Sequence, residues 1–291
     1  MSDYHLHLVP HDVPAEVVGP FGRLIERYVD HAREVGVTEL GFTEHFYRCV
    51  ESAPVLGPFW ESEIRADLAA QAKAAVSADR TLSLETYVGA VLAAKEQGLP
   101  VKLGLEVDFF PETIDAVAAF LEPYPWDYLI GSVHWIGGWG VDDGRAAYEF
   151  ERRGIQQAWD DYFDLELRLA ESGLVDVLAH ADVVKKNGHR PVAEPLEWYD
   201  RVAQAASRTG TAVEVSSQGL RYPAAEVYPS PAFLSRLADH DVGITLGSDG
   251  HTPDEAGWGH LQVVEAARDA GYSSYLRFEA RRPEPIELPQ R

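Results

Sequence analysis

The chain has 291 residues, and its 46% hydrophobic and 25% charged content is typical of a folded globular protein. Its 47 Asp and Glu against 25 Lys and Arg give a net charge of −22, which argues against nucleic-acid binding because that requires a basic surface. The single cysteine, Cys49, cannot form an internal disulfide, and no apolar run reaches the roughly 18 residues of a membrane span. We therefore expect a cytoplasmic protein with no membrane partner, as a monomer or a small homo-oligomer.

Apolar periodicity predicts strands that alternate with helices along the whole chain. The predicted strands are residues 3–9, 39–43, 101–107, 128–134, 175–180, 212–216 and 242–249. The predicted helices are residues 15–36, 61–79, 83–97, 113–121, a segment from 155 onward, 195–209, 231–240 and 260–270. Residues 137–153 are predicted to be a polar loop.

Near-continuous apolar strands separated by helices indicate parallel β-structure. Closing seven or eight such strands would give a distorted TIM-like barrel, so the predicted fold class is α/β. We expect one domain over residues 1–291, with about the last 10 residues forming a Pro-rich tail.

Metal-binding side chains recur where the predicted strands end. His5 and His7 share one face of the first strand because side chains alternate along a strand. The full set at or just past strand ends is His5, His7, His45, Glu106, His134, His180, Asp249 and His251. In parallel barrels this end holds the active site, and so many imidazoles and carboxylates exceed the needs of one ion. The pattern therefore predicts a multinuclear metal site.

These strand ends carry short motifs that together resemble the polymerase and histidinol phosphatase (PHP) family. In chain order they are His5-x-His7, Thr43-Glu44-His45, Gly104-Leu105-Glu106, Gly131-Ser132-Val133-His134, Ala179-His180 and Ser248-Asp249-Gly250-His251. The loop over residues 217–229 is similar to the branch of the family that dephosphorylates histidinol phosphate.

The resemblance implies a distorted (β/α)7 barrel that holds three divalent metal ions, which could be zinc, iron or manganese. Glu106 would bridge two of these metals. The remaining ligands would be His5, His7 and Asp249 for the first metal, and His134 and His180 for the second.

The third metal would be bound by His45, His251 and a residue of the first loop. That loop offers His11 and Asp12, and Asp12 is the favoured ligand. Glu44 precedes His45 and is expected to support a metal ligand through a hydrogen bond.

The implied activity is metal-dependent hydrolysis of the phosphomonoester L-histidinol phosphate, a step of histidine biosynthesis. Glu106, Asp249 and His251 would be the catalytic residues. Divalent metals at such a site would activate a water that attacks phosphorus in line, so no protein nucleophile is needed.

Three basic residues are candidates for binding the substrate phosphate. Arg221 is the first, because a guanidinium can donate two parallel hydrogen bonds and stays charged. Lys185 and Arg190 are the others. A phosphatase for another small phosphate ester is the alternative function, and a metal-binding barrel without turnover is the alternative from a different class.

Overall fold

The structure is a computed structural model that describes residues 1–290. Its strands are β1 (Ser2–Leu6), β2 (Glu39–Phe42), β3 (Val101–Leu103), β4 (Glu106–Asp108), β5 (Ile130–Ser132), β6 (Trp135–Ile136), β7 (Trp139–Gly140), β8 (Val177–Leu178), β9 (Ala212–Ser216), β10 (Ile244–Gly247), β11 (Ser274–Glu279) and β12 (Arg282–Glu287). Its helices are α1 (Ala15–Val18), α2 (Phe21–Glu34), α3 (Ala53–Leu56), α4 (Ala66–Asp79), α5 (Leu84–Glu96), α6 (Ile114–Leu121), α7 (Tyr148–Arg153), α8 (Ile155–Ser172), α9 (Leu196–Thr209), α10 (Pro231–Asp239) and α11 (His260–Asp269).

Parallel strands form two sheets, which confirms the predicted α/β class. One sheet has the order β1-β2-β3, and the other has the order β10-β9-β8-β5-β4. Backbone bridges join the two sheets on both sides, from Leu6 to Gly250 and from His45 to Glu106. This arrangement allows the seven-stranded ring that the sequence predicts, with β3 and β4 as two parts of one strand.

The predicted strand over residues 101–107 is interrupted at Gly104. A Cβ atom at this glycine would lie 2.8 Å from the Thr43 methyl carbon and 2.8 Å from the Tyr128 ring. The Gly104 N–H donates to the Phe42 carbonyl at 2.8 Å. The close approach bends the chain, so that Glu106 begins a separate strand beside the end of β2.

The helices pack their apolar faces on the strands. In α2 the buried side chains include Ile25, Tyr28 and Val29, which follow the i, i+3, i+4 pattern of the sequence. The predicted helix over residues 15–36 is divided into α1 and α2 at Pro20, whose ring cannot continue the hydrogen-bond ladder of the preceding turn. Within residues 1–290, no helix has the length and apolarity needed to cross a membrane.

The prediction of a polar loop over residues 137–153 is wrong. Strands β6 and β7 form an antiparallel hairpin there, and helix α7 follows. Trp139 and Phe150 are both buried, and their rings meet edge to face at 4.8 Å. The two aromatic side chains belong to the main hydrophobic core, which anchors this segment in a way that a solvated loop would not be anchored.

The predicted C-terminal tail is also partly wrong, because β12 pairs with β11 over its full length. The sequence Arg282-Pro-Glu-Pro-Ile-Glu287 had indicated a tail because proline cannot donate to a strand ladder. Among the described strands β12 pairs with β11 alone, so it is an edge strand. An edge strand tolerates proline because one row of its N–H groups needs no partner strand.

Candidate metal centre

The ends of the parallel strands bring all eight predicted strand-end residues into one cluster. His5 is part of β1, and Glu106 begins β4. The others follow their strands: His7 after β1, His45 after β2, His134 after β5, His180 after β8, and Asp249 and His251 after β10. His180 and Asp249 have positive φ angles of 27° and 52°, which turn the chain sharply at these two strand ends.

Glu106 lies at the centre of the cluster, and each of its carboxylate oxygens contacts a different set of histidines. The Oε2 atom lies 2.7 Å from His45 Nδ1, 3.3 Å from His5 Nε2 and 3.5 Å from His7 Nε2. The Oε1 atom lies 3.2 Å from His180 Nε2 and 3.5 Å from His134 Nε2. A carboxylate that divides its contacts in this way is suited to bridging two cations.

Asp249 closes the cluster on the side opposite β4. Its Oδ1 atom lies 3.3 Å from His7 Nε2 and 3.7 Å from His5 Nε2. The same oxygen lies 3.7 Å from His251 Nδ1, and the His251 ring stacks on the His7 ring at 4.3 Å. The carboxylate therefore faces histidines from both β1 and β10.

Several buried polar atoms of this cluster make no hydrogen bond with any of the described residues. They are His5 Nε2, both ring nitrogens of His7, His45 Nε2, Asp249 Oδ1 and His251 Nε2. Leaving buried polar atoms unpaired is costly, so such convergence indicates an ion that the atoms would coordinate. Ligand atoms within 4.8 Å of one another form the groups His5-His7-Glu106, His5-His180-Asp249, His45-Glu106-His134 and His7-His45-His251. The donor set of imidazoles and carboxylates fits divalent metals.

The protonation states of two carboxylates and two imidazoles of the cluster also suit cation binding. Burial would raise the pKa of Glu106, but His45 and His5 beside it hold that pKa well below its usual range. The pKa of Asp249 is lowered in the same way, chiefly by His5, against the effect of burial. Burial lowers the pKa values of His45 and His251 well below the usual range of histidine. Ionised carboxylates and neutral imidazoles are the forms that coordinate metals.

Glu214 of β9 supports two of the histidines from below the cluster. Its carboxylate accepts from His5 Nδ1 at 3.0 and 3.1 Å and from the His180 backbone N–H at 2.9 Å. Burial lowers the pKa of His5, but Glu214 leads the carboxylates that raise it well above its usual range. Sequence analysis missed this residue, although a charged residue in the middle of the apolar strand Ala212–Ser216 was a signal for it.

Gly247 makes room for that carboxylate. A Cβ atom at this position would lie 1.9 Å from Glu214 Oε1 and 3.0 Å from the Cβ atom of His5. Asp108 plays a part similar to that of Glu214 for a different histidine, because its Oδ1 lies 2.8 Å from His134 Nδ1. Asp108 is two residues from Glu106 on the same strand, and this spacing places both carboxylates on one face.

Glu44 was expected to orient a metal ligand, and the structure gives it a different role. Its carboxylate accepts the backbone N–H groups of Leu8 and Val9, the latter at 3.0 Å. Arg48 donates to the Val9 carbonyl at 2.6 Å. Both side chains therefore hold the first loop directly after His7 rather than a histidine ring.

That loop places His11 beside the pair expected to bind the third metal. The His11 ring lies 4.4 Å from the His251 ring and 5.4 Å from the His45 ring. Asp12 also lines the cavity, where its charge acts on Asp79 of α4. Both residues that sequence analysis offered as the loop ligand therefore line the cavity.

The cluster lies at the base of a cavity of about 450 Å³, which is in the range of small-molecule sites. Lys185, predicted to bind phosphate, does not reach this cavity because it is fully buried and its Nζ lies 2.7 Å from both Asp182 and Glu226. The next residue, Lys186, lines the cavity and pairs with Asp142 at 2.9 Å. In a tight turn neighbouring side chains point in different directions, so Lys186 lines the cavity and the predicted Lys185 does not.

The two predicted arginine contacts are also engaged elsewhere. Arg190 lies 2.7 Å from Glu226, outside the set of cavity-lining residues. Arg221 lies 2.6 Å from Glu255 and donates to the backbone carbonyl of Ser248 at 2.6 Å. Arg221 therefore stabilises the loop that carries Asp249 and does not present a free guanidinium to the cavity.

The fold and the cluster define an α/β protein with candidate metal ligands at the C-terminal ends of its parallel strands. The model of the PHP domain matches residues 23–218, and the chain belongs to this family. The family is the one that the sequence motifs resemble, so that prediction is confirmed.

The chain is similar over most of its length to several histidinol phosphatases. A probable histidinol-phosphatase of Deinococcus radiodurans is 35% identical over 205 residues, which cover 69% of this chain and 78% of the relative. The histidinol-phosphatase of Bacillus subtilis is 23% identical over 270 residues, which cover 83% and 92% of the two chains. The crystal structure of histidinol phosphate phosphatase from Lactococcus lactis, complexed with zinc, L-histidinol and phosphate, has a TM-score of 0.72 at 20% identity and covers 97% of this chain and 98% of that one. This last similarity confirms the fold.

Proposed function

We propose that the protein is a metal-dependent phosphomonoesterase that hydrolyses L-histidinol phosphate to L-histidinol and phosphate. The observation that carries the proposal is the convergence on Glu106 of unpartnered imidazoles from several strand ends, at the base of a cavity of suitable size. The family and the names of its relatives support the same activity.

We infer a centre of three divalent metals in which Glu106 bridges two. His5, His7 and Asp249 would bind the first metal, and His134 and His180 the second. Divalent metals here would provide Lewis-acid activation of water and of the phosphoryl oxygens. The identity of the metals is left to the experiment below, since zinc, iron and manganese all accept imidazole and carboxylate ligands.

The third metal would be bound by His45, His251 and a residue of the first loop, for which the ring contacts favour His11 over Asp12. With Glu106, we assign Asp249 and His251 to the catalytic machinery, because Asp249 lines the cavity and the other two belong to the cluster directly behind it. Their negative charge and lone pairs would fix the cations in place while phosphorus changes its bonds.

Lys186 replaces Lys185 as the proposed phosphate contact. Burial tends to lower the pKa of Lys186, but Asp142 beside it raises that pKa to about 12, so the side chain is cationic at neutral pH. Its Nζ lies over the Tyr222 ring at 4.5 Å, and this contact with Asp142 and Tyr222 positions the ammonium group at the wall of the cavity. We further propose that residues 1–291 act as a single domain in the cytoplasm.

Steady-state hydrolysis by metal-stripped protein reloaded separately with manganese, zinc or iron tests the proposal. L-Histidinol phosphate should exceed a panel of other small phosphomonoesters by several orders in kcat/KM, and chelation should abolish turnover. His134→Ala should lose activity by orders of magnitude, whereas His240→Ala on α10's C-terminal end should not. Metal-dependent but indiscriminate turnover would favour a phosphatase for another small ester, and no turnover with any metal would refute the enzyme assignment.

A further inference from the structure

Gln218 lies on the cavity wall beside Asp249, and only one end of its amide has a partner. The side chain is 7% exposed. Its Nε2 atom donates to Asp249 Oδ2. A carboxylate can only accept here, so this bond fixes the orientation of the amide. The Oε1 atom is then a buried acceptor, and no group in residues 1–290 donates to it.

The turn that carries Gln218 holds this amide in place. The Ser217 N–H donates to the Gly247 carbonyl at 3.0 Å, and the Ser217 hydroxyl donates to the Trp258 carbonyl at 2.5 Å. On the other side of Gln218, a Cβ atom at Gly219 would lie 2.2 Å from the Glu226 carbonyl oxygen, so the backbone is tightly packed there. Gln218 therefore cannot readily turn its oxygen to solvent, and a bound ligand is the natural source of a donor.

The charge of the cavity wall indicates what kind of donor this is. Outside the metal-binding cluster, the acidic residues that line the cavity are Asp12, Asp79, Asp142 and Asp143, and the basic ones are Arg145 and Lys186. Lys186 is paired with Asp142 at 2.9 Å and Arg145 with Asp143 at 3.0 Å. Asp12 and Asp79 remain, so the cavity wall outside the cluster carries a net negative charge, which favours a cationic group on the organic part of the ligand.

We propose that Gln218 Oε1 accepts a hydrogen bond from an ammonium group of the substrate and thereby selects phosphate monoesters of 2-amino alcohols. Gln218 is hydrogen-bonded to Asp249, which belongs to the cluster where the phosphoryl group would bind. Gln218 Oε1 would therefore lie close to the ester. An amine two carbons from the ester oxygen would be near enough to donate a hydrogen bond to Gln218 Oε1. The inference rests on the proposed function, and L-histidinol phosphate carries its amine at this position.

Two matched substrate pairs, each differing by the amine, test this role. The pairs are O-phosphoethanolamine with ethyl phosphate, and L-histidinol phosphate with 3-(imidazol-4-yl)propyl phosphate. The wild type should prefer the aminated member of each pair in kcat/KM. In Gln218→Met, which keeps the length of the side chain but cannot accept this bond, the preference should fall by about 10- to 100-fold. Gln157→Met on the exposed face of α8 is the control and should keep it.

The ratio within a pair is independent of the fraction of active enzyme, so partial loss of metal from the variant does not affect it. Gln218→Asn is a second variant that keeps the amide but shortens its reach, and its preference should also fall. Calorimetric binding of L-histidinol and of 3-(imidazol-4-yl)propan-1-ol to the metal-loaded proteins provides a readout without turnover. Gln218→Met should weaken binding of the first compound selectively.

The outcomes separate this inference from the proposed function. An equal loss for both members of each pair would mean that Gln218 only positions Asp249, and it would overturn the proposal. Preference for all aminated esters without special preference for L-histidinol phosphate would refute the proposed substrate while supporting the role of Gln218. A wild type that does not distinguish the members of the pairs would overturn the role of Gln218 outright.

Discussion

Replacing Glu214 by Gln should weaken metal binding although Glu214 itself would not touch a metal. The carboxylate accepts from both His5 Nδ1 and the His180 backbone N–H. The amide of Gln offers one acceptor oxygen and places an NH2 group against the second donor. Even if the amide oxygen takes the place of Oε2, the NH2 group then faces His5 Nδ1, and a buried charge-assisted hydrogen bond is lost at a cost of about 1–3 kcal/mol of folding free energy. Loss of such an outer partner lowers metal affinity or activity by about 10- to 100-fold.

Competition with a chelator measures the metal affinity of Glu214→Gln, and thermal unfolding of the metal-free protein measures its stability. Glu197→Gln on α9 is the matched control, because Glu197 is exposed and should tolerate the change. Affinity should fall in Glu214→Gln and stay unchanged in the control. Wild-type affinity together with wild-type activity in Glu214→Gln would refute the argument that this carboxylate orients His5 for metal binding.

The remaining predictions concern single side chains and the metals. Lys186→Met should lower kcat/KM for phosphate esters by about 10-fold or more, because it removes one charge-assisted contact, and it should lower the unfolding temperature less than Lys185→Met because Asp142 is partly exposed. Lys185→Met should instead destabilise the fold by about 3–5 kcal/mol in denaturant titration, since it leaves Asp182 buried without its cation. Gly247→Ala should lower metal affinity in the chelator assay, because its methyl group would displace Glu214. Chelation of the wild type should lower its unfolding temperature and reloading with zinc should restore it, because a ligand that binds the native state stabilises it.

The parallel strands and their order along the chain could be predicted because the signal is local. Buried strands are apolar runs of a few residues, and β9 and β10 lie where those runs are. The hairpin of β6 and β7 and the strand β12 could not be predicted in this way. Both depend on pairing partners, and Pro283 and Pro285 conceal a strand whose outer edge needs no ladder.

The cluster could also be predicted from local signals, because the end of a parallel strand determines the position of the side chains that follow it. His134 and His180 come from strands far apart in the sequence, yet their Nε2 atoms lie 3.3 Å apart. The basic residues follow turns, where direction changes from one residue to the next. Lys185 and Lys186 therefore have opposite environments, one in the core and one at the cavity, and no periodicity distinguishes them.

Metal binding and folding are physically coupled at the strand ends. His180 and Asp249 adopt positive φ angles, a conformation that costs about 1–3 kcal/mol for residues other than glycine. Neighbouring buried atoms, including His5 Nε2 and Asp249 Oδ1, make no hydrogen bond with the described part of the chain. Both features lower the stability of the metal-free fold, and cations at the cluster would offset them. Glu214 orients His5 in the metal-free protein, and Gly247 leaves room for the Glu214 carboxylate. Metal binding then does not have to include the free-energy cost of ordering this histidine.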